Sequence, residues 1–391
     1  MNSSPSPMPW AIYFAVLGSV ISVGLAIGLS MPLVSLRLEG WGYGSFAIGV
    51  MAASPALGIL TGASLAGRLA ARIGTPRLMR LCLVSGAASL ILLSLLPSYL
   101  LWLLLRLALG AILTLIFVLG ESWMNQVITD RWRGRLVALY GSSYALSQLA
   151  GPLLLGVLGT EGDQGFWLGA LLMLGGATLL LGRQGAPAAG GHTAAWRALL
   201  DFCRGAPAIA WAVALFACFE AMILTLLPVY ALNQGFGQQL ALYMVSAVVV
   251  GDALLQLPLG LLADRLSRQG LFLGCTLGLL AVSLALPLLL HTAGVWPLLV
   301  LFGATAGGLF TLALILVGER YRDAELVSAN ACIAQLWGLG CLVGPLVTGA
   351  ASQWLTGHAV PLLMAAGAAA LLVIVGRRGS APMQAELAGD L

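Results

Sequence analysis

From residue 10 to residue 34 the chain runs through twenty-five side chains without one that carries charge, and runs of this kind recur to its far end. A helix needs about 20 apolar residues to cross the hydrocarbon core of a bilayer. Backbone groups in lipid must find their hydrogen bonds inside their own segment, so helix is the only assignment open to these runs. Twelve such helices are expected, at 10–34, 45–67, 78–97, 99–121, 135–159, 164–182, 207–232, 240–263, 271–290, 295–318, 326–352 and 358–376. Charged residues make up 8% of the chain, where soluble domains carry roughly 25%. The sequence therefore predicts an all-α integral membrane protein and excludes an ordinary water-soluble domain. The opening MNSSPSPMPW has no basic stretch, and the run after it is longer than a signal-peptide core. An uncleaved first span is expected.

The basic residues test this map. All eighteen are arginine, and all but Arg37 and Arg106 fall in alternate loops, the central linker or the C-terminal tail. Such alternation marks one side as cytoplasmic, with both termini on it, as in a multi-pass protein of the inner membrane. A missed or invented helix would scramble the pattern. The net charge of +4 is spread over short loops and makes no patch for nucleic acid. The six cysteines lie singly, with no Cys/His spacing that would hold a metal, so no cofactor is expected. The longest polar break, rich in Gly, Ala and Pro, divides the chain into 1–182, a linker 183–206, a second half 207–376 and a tail 377–391.

The halves repeat. MPLVSLRLEGWG (31–42) matches LPVYALNQGFG (227–237), and GRLAARIG (67–74) matches GLLADRLS (260–267). GAILTLIFVL (110–119) matches GGLFTLALIL (307–316), and AGPLLLG (150–156) matches VGPLVTG (343–349). All four pairs share one order, one orientation and a separation of about 195 residues, which is a parallel repeat of six helices.

On these motifs the chain resembles the major facilitator superfamily over nearly its whole length. GLLADRLSR (260–268) is similar to that family's loop signature G-x-L-a-D-R-x-G-R, with Gly260, Asp264, Arg265 and Arg268 in place and Ser267 where a glycine belongs. The first-half copy keeps Arg72 but has Ala71 for the aspartate. Arg106 and Gly110 fit the family's R-x-x-x-G in the fourth span, and Gly151-Pro152 and Gly344-Pro345 resemble its G-x-x-x-G-P. The stretch GESWMNQVITDRWRGRLVALY (120–140) further resembles the YcaD-like branch. The resemblance implies two pseudo-symmetric six-helix bundles, a cavity lined by spans 1, 4, 7 and 10, and alternating access. It makes Asp264, Arg265 and Arg268 a cytoplasmic latch, with Glu319 a further partner. Glu121 is the acid available to Arg72 or Arg77 in the first half, and the second-half latch is expected to be the stronger. Gly151, Pro152, Gly344 and Pro345 are expected to bend their helices around the cavity.

Three charges fall inside spans away from their ends: Glu220 near the middle of the seventh, Asp252 at similar depth in the eighth, and Arg106 in the outer third of the fourth. Each costs about 2.5–3.5 kcal/mol at a helix centre on insertion scales. Facing lipid is excluded; they face a watery cavity, pair, or, for the acids, take a proton. A carboxyl that alternates between dry and wet or paired surroundings binds and releases a proton. Glu220 is thus the leading coupling or substrate-binding residue, Arg106 its partner and Asp252 a third candidate. A structural acid bonded between helices, or an acid that binds a cationic solute without proton coupling, are the alternatives. Tyr13, Ser19, Ser22, Tyr144, Gln148, Thr225, Gln335 and Trp337 are further polar or stacking candidates.

A monomeric secondary transporter of a small organic solute is the reading that follows, with export favoured by the antiporter-like motif of the fifth span. A membrane sensor or scaffold and a membrane-embedded enzyme compete with it. No P-loop, HExxH or GxSxG supports pumping or hydrolysis.

Overall fold

In the computed structural model the described residues are 9–128, 133–183, 196–263, 266–353, 355 and 357–377. They form thirteen α-helices and no strand: α1 (Trp10–Gly40), α2 (Ser45–Ile73), α3 (Thr75–Leu95), α4 (Tyr99–Val127), α5 (Arg133–Leu158), α6 (Gln164–Leu179), α7 (Trp196–Gly205), α8 (Pro207–Asn233), α9 (Gln238–Ala263), α10 (Arg268–Leu289), α11 (Val295–Arg320), α12 (Asp323–Ala351) and α13 (Ala359–Arg377). Asp264 and Arg265 of the expected latch lie outside the described residues, as does the tail beyond Arg377. Twelve helices correspond one to one with the predicted spans. Among the described residues nine are long and apolar enough to cross a bilayer, and stretches of α6 and α9 are shorter apolar helices. The thirteenth, α7, lies in the segment read from sequence as a polar linker.

Several helices outlast their apolar runs. The first was expected to stop at 34 and runs to Gly40; the second was expected to stop at 67 and runs to Ile73. Intrahelical hydrogen bonding does not end at the edge of the hydrocarbon, and a specific stop is needed. For α1 that stop is Gly42, with φ +82°. Its N–H donates to the Glu39 carbonyl at 2.8 Å and the Tyr43 N–H to the Leu38 carbonyl at 3.0 Å, which is a Schellman closure. The matching turn after α8 closes the same way: Gly235 has φ +89°, its N–H donates to Leu232 at 2.9 Å, and the Phe236 N–H donates to Ala231 at 3.1 Å. The repeat is thus visible in turn geometry, with the second copy closing about two residues earlier.

The chain divides into two compact units, Met1–Leu33 with Leu57–Gly191 and Val34–Ala56 with His192–Leu391. Residues 34–56 cluster with the second unit, where a Cβ on Gly349 of α12 would stand 3.2 Å from the Cα atoms of Phe46 and Gly49. Each unit is held by close helix crossings at small residues, since apolar side chains gain nothing over lipid and packing must decide. In the first unit α1 crosses α5 at Gly24 and Gly28, the latter against Gly151, and α2 crosses α4 where Gly58 and Gly62 lie on Leu107–Ala111. In the second, Gly340 and Gly344 of α12 lie on Ala214, Ala217 and Cys218 of α8, and Gly251, Gly303 and Gly307 bring α9 onto α11. Likewise α3 packs on α4 and α6, and α10 on α11 and α13. The same helix pairs recur in both units.

Candidate functional site

Glu220 is the one charged residue of α8, a 27-residue helix whose second half, from Ala221 to Ala231, is entirely buried. The helix is surrounded within its unit by α9, α11, α12 and α13. Trp211 marks the outward side: it is 40% exposed and its Nε1 donates to the Gly367 carbonyl of α13 at 2.9 Å. Nine residues turn an α-helix through about 180° relative to its start, so Glu220 stands on the opposite side. The other residues on its face, Val213, Phe216, Ala217, Ile223 and Leu227, are buried, and Glu220 itself is half-buried.

An aromatic cluster adjoins it. Phe216, one turn before Glu220, stacks on Phe310 of α11 with ring centroids 4.7 Å apart and planes 14° off parallel. Trp337 of α12 meets both rings edge-on, at 5.6 and 5.1 Å. Phe219 meets Phe302 at 5.0 Å. One turn beyond Trp337 the Cys341 thiol is within electrostatic reach of Glu220, and its Sγ lies 3.8 Å from the Ala217 carbonyl. Three helices therefore bring a carboxylate, a thiol and π-faces together. Sequence reasoning named Glu220 and Trp337 but missed the cluster, because its members lie far apart in the chain.

The other intramembrane charges have different settings. The Asp252 carboxylate lies against Gly307, inside the α9–α11 crossing, where a side chain at 307 would collide with it. Arg106, in the first unit, is 3% exposed, and its Nε and Nη2 have no hydrogen-bond partner among the described residues. A buried polar group left unsatisfied costs about 1–3 kcal/mol and more when charged. Of the secondary candidates, Tyr13 donates to the Leu136 carbonyl at 2.9 Å, Ser19 to Gly176 at 3.1 Å, and Ser22 and Thr225 to carbonyls of their own helices. Those four serve helix packing.

Of the expected latch residues, Gly260 lies in α9 three residues before its end at Ala263. Arg268, at the start of α10, forms an ion pair with Glu319, at the end of α11. Ser267, the residue that departs from the family signature, caps α10 by accepting the Gly270 N–H at 3.2 Å. Glu121 was expected to end its helix, but α4 runs on to Val127, six residues further; Glu121 lies near Tyr140, and among the described residues no ion pair joins it to Arg72 or Arg77, both exposed. Pro152 and Pro345 lie inside α5 and α12, which continue through them, and the adjoining Gly151 and Gly344 are contact points with Gly28 and Cys218. The Arg268–Glu319 pair is 37% and 31% exposed, and exposed pairs are worth about 0–1 kcal/mol. A double-mutant cycle with Arg268→Ala and Glu319→Ala, read by thermal unfolding in detergent, is expected to give a coupling under about 1 kcal/mol. A larger coupling would make the pair a structural lock.

A sequence profile of the Major Facilitator Superfamily matches residues 16–251 and 240–387. The chain belongs to the major facilitator superfamily. This superfamily member is 27% identical over 334 residues to the uncharacterized MFS-type transporter YcaD of Escherichia coli O7:K1, a match covering 85% of this chain and 87% of YcaD. Among solved structures, a mutant form of the nucleoside transporter NupG superposes with a TM-score of 0.75 at 16% identity, covering 93% of this chain and 98% of that one. A D-xylose–proton symporter superposes with a TM-score of 0.70 at 18% identity, covering 94% and 97%. The fold is that of a facilitator-superfamily transporter, and membrane transport is the superfamily's work.

Proposed function

We propose that this protein is a monomeric secondary active transporter that moves a small organic solute by alternating access, couples that movement to protons, and works as an exporter. It sits in the inner membrane with both termini in the cytoplasm, as two six-helix bundles joined by the 183–206 linker. Glu220 is the coupling or substrate-binding carboxylate, with Arg106 as its counterpart. The observation that carries this reading is the position of Glu220: a half-buried acid at the middle of a membrane helix, on the face opposite the exposed Trp211. A structural acid would be expected inside a crossing, as Asp252 is against Gly307. The matched crossings of α1 with α5 and α8 with α12 support a pair of equivalent bundles.

Proteoliposomes loaded with a pH-sensitive dye provide the experiment. Pools of metabolites and drugs are added outside, and solute-evoked proton movement is recorded. At least one pool is expected to change the internal pH in vesicles holding the protein and not in empty ones. Solute flux with no accompanying proton movement would overturn the coupling.

One observation favours a second reading, recognition of an organic cation without proton coupling. Phe216, Phe310 and Trp337 adjoin Glu220, and ring faces with a carboxylate attract cations. In the same vesicles that reading gives flux driven by membrane potential and indifferent to pH.

A further inference from the structure

The segment that leads into α8 carries a helix whose surface matches nothing in the transport reading. In α7 (Trp196–Gly205) Leu199 and Phe202 are buried against their own unit, while Trp196 and Leu200 are 67% and 52% exposed. On a helical wheel the exposed Trp196 and Leu200 adjoin the buried stripe, Arg204 and Arg197 come next at about 80–100° from Trp196, and Asp201 lies furthest round. All three charged side chains are exposed. A ladder of apolar, then cationic, then acidic residues around one helix is the profile of a segment lying flat in a membrane interface, with aromatic and aliphatic groups in the headgroup layer and arginines at the phosphates.

Position agrees with profile. Ala206 is fully buried and α8 begins at Pro207, so α7 leads directly into a membrane-spanning helix. Phe202 contacts Tyr321 with ring centroids 5.8 Å apart, and the Gly205 carbonyl accepts from Arg320 Nη2 at 3.3 Å. These contacts hold α7 at the level where α8 and α12 start and α11 ends, which is the edge of the bilayer. On α7 itself Arg197 and Arg204 outnumber the single acid, Asp201.

We infer that α7 is a lipid-recognition helix that seats Trp196 and Leu200 in the adjoining leaflet and binds the headgroups of anionic phospholipids through Arg197 and Arg204. Neither the superfamily assignment nor a role for Glu220 is needed for this. The full-length protein, with its six cysteines replaced and a fluorophore on Leu200→Cys, is reconstituted in phosphatidylcholine vesicles. Phosphatidylglycerol or phosphatidylcholine carrying a quencher near the headgroup is then added at equal mole fraction. Quenching by the phosphatidylglycerol form is expected to be at least threefold greater. Arg197→Gln with Arg204→Gln should bring the two lipids to equality, and Arg197→Lys with Arg204→Lys should restore the preference. Equal quenching by both lipids in the parent protein would overturn the inference. So would a water-exposed fluorophore quenched by neither, which would assign the face to a soluble partner, or loss of the preference on adding inorganic phosphate, which would make it a free-anion site.

Discussion

Gly151→Ala and Gly303→Ala are each expected to destabilise the protein by about 1–3 kcal/mol, and leucine at either position to prevent folding. A Cβ on Gly151 would stand 2.5 Å from the Cα of Gly28 and 2.6 Å from the Leu29 nitrogen. One on Gly303 would stand 2.9 Å from the Asp252 nitrogen, and it would also press on the Val248 carbonyl. In both cases the obstacle is backbone, which cannot swing aside as a side chain can, so whole helices must separate. In lipid such separation forfeits the close packing that holds helices together. Gly175 and Gly274 are the controls, with open space around the position of a Cβ and outward-facing sites on α6 and α10. Alanine there is expected to be neutral or stabilising by up to about 1 kcal/mol, from helix propensity alone. Thermal unfolding of the four variants in one detergent separates the groups. Equal behaviour of all four would mean that the crossings do not hold the units.

Arg106→Met is expected to keep or raise the melting temperature while lowering solute-evoked proton flux at least tenfold. Methionine removes a buried guanidinium whose Nε and Nη2 have no partner among the described residues and fills similar volume with apolar atoms. Replacing a buried charge in this way is often neutral or stabilising by about 1–4 kcal/mol. A buried residue that costs stability is a candidate for function, since active sites trade stability for activity. Arg106→Lys keeps the charge but loses the planar fork, and is expected to recover little of the flux. An unfolded Arg106→Met, or one with wild-type flux, would make the residue structural.

The features legible in the sequence were those that lipid enforces. Spans, their number and the repeat could be read because every apolar run must be helical and every crossing needs small residues. The pairs Gly24/Gly28, Gly58/Gly62, Gly303/Gly307 and Gly340/Gly344 all meet neighbouring helices. Helix ends were less legible: α1 outlasts its apolar run and closes at Gly42, a stop set by backbone conformation and not by hydropathy. The linker helix α7 was missed because its buried stripe amounts to Leu199 and Phe202 in ten residues. Depth could be counted along a helix, but facing could not. Asp252 and Glu220 sit at similar depth, yet one lies inside a crossing and the other beside an aromatic cluster assembled from α8, α11 and α12.

The proposal that Glu220 exchanges a proton as its helix face changes surroundings is tested most directly by Glu220→Gln. Glutamine keeps shape and hydrogen bonding but cannot titrate. With a solute that moves protons through the parent protein, the variant is predicted to carry no proton, and any residual solute movement should be flat across pH 5–8. Proton movement at the parent rate, with the parent's pH profile, would contradict the account.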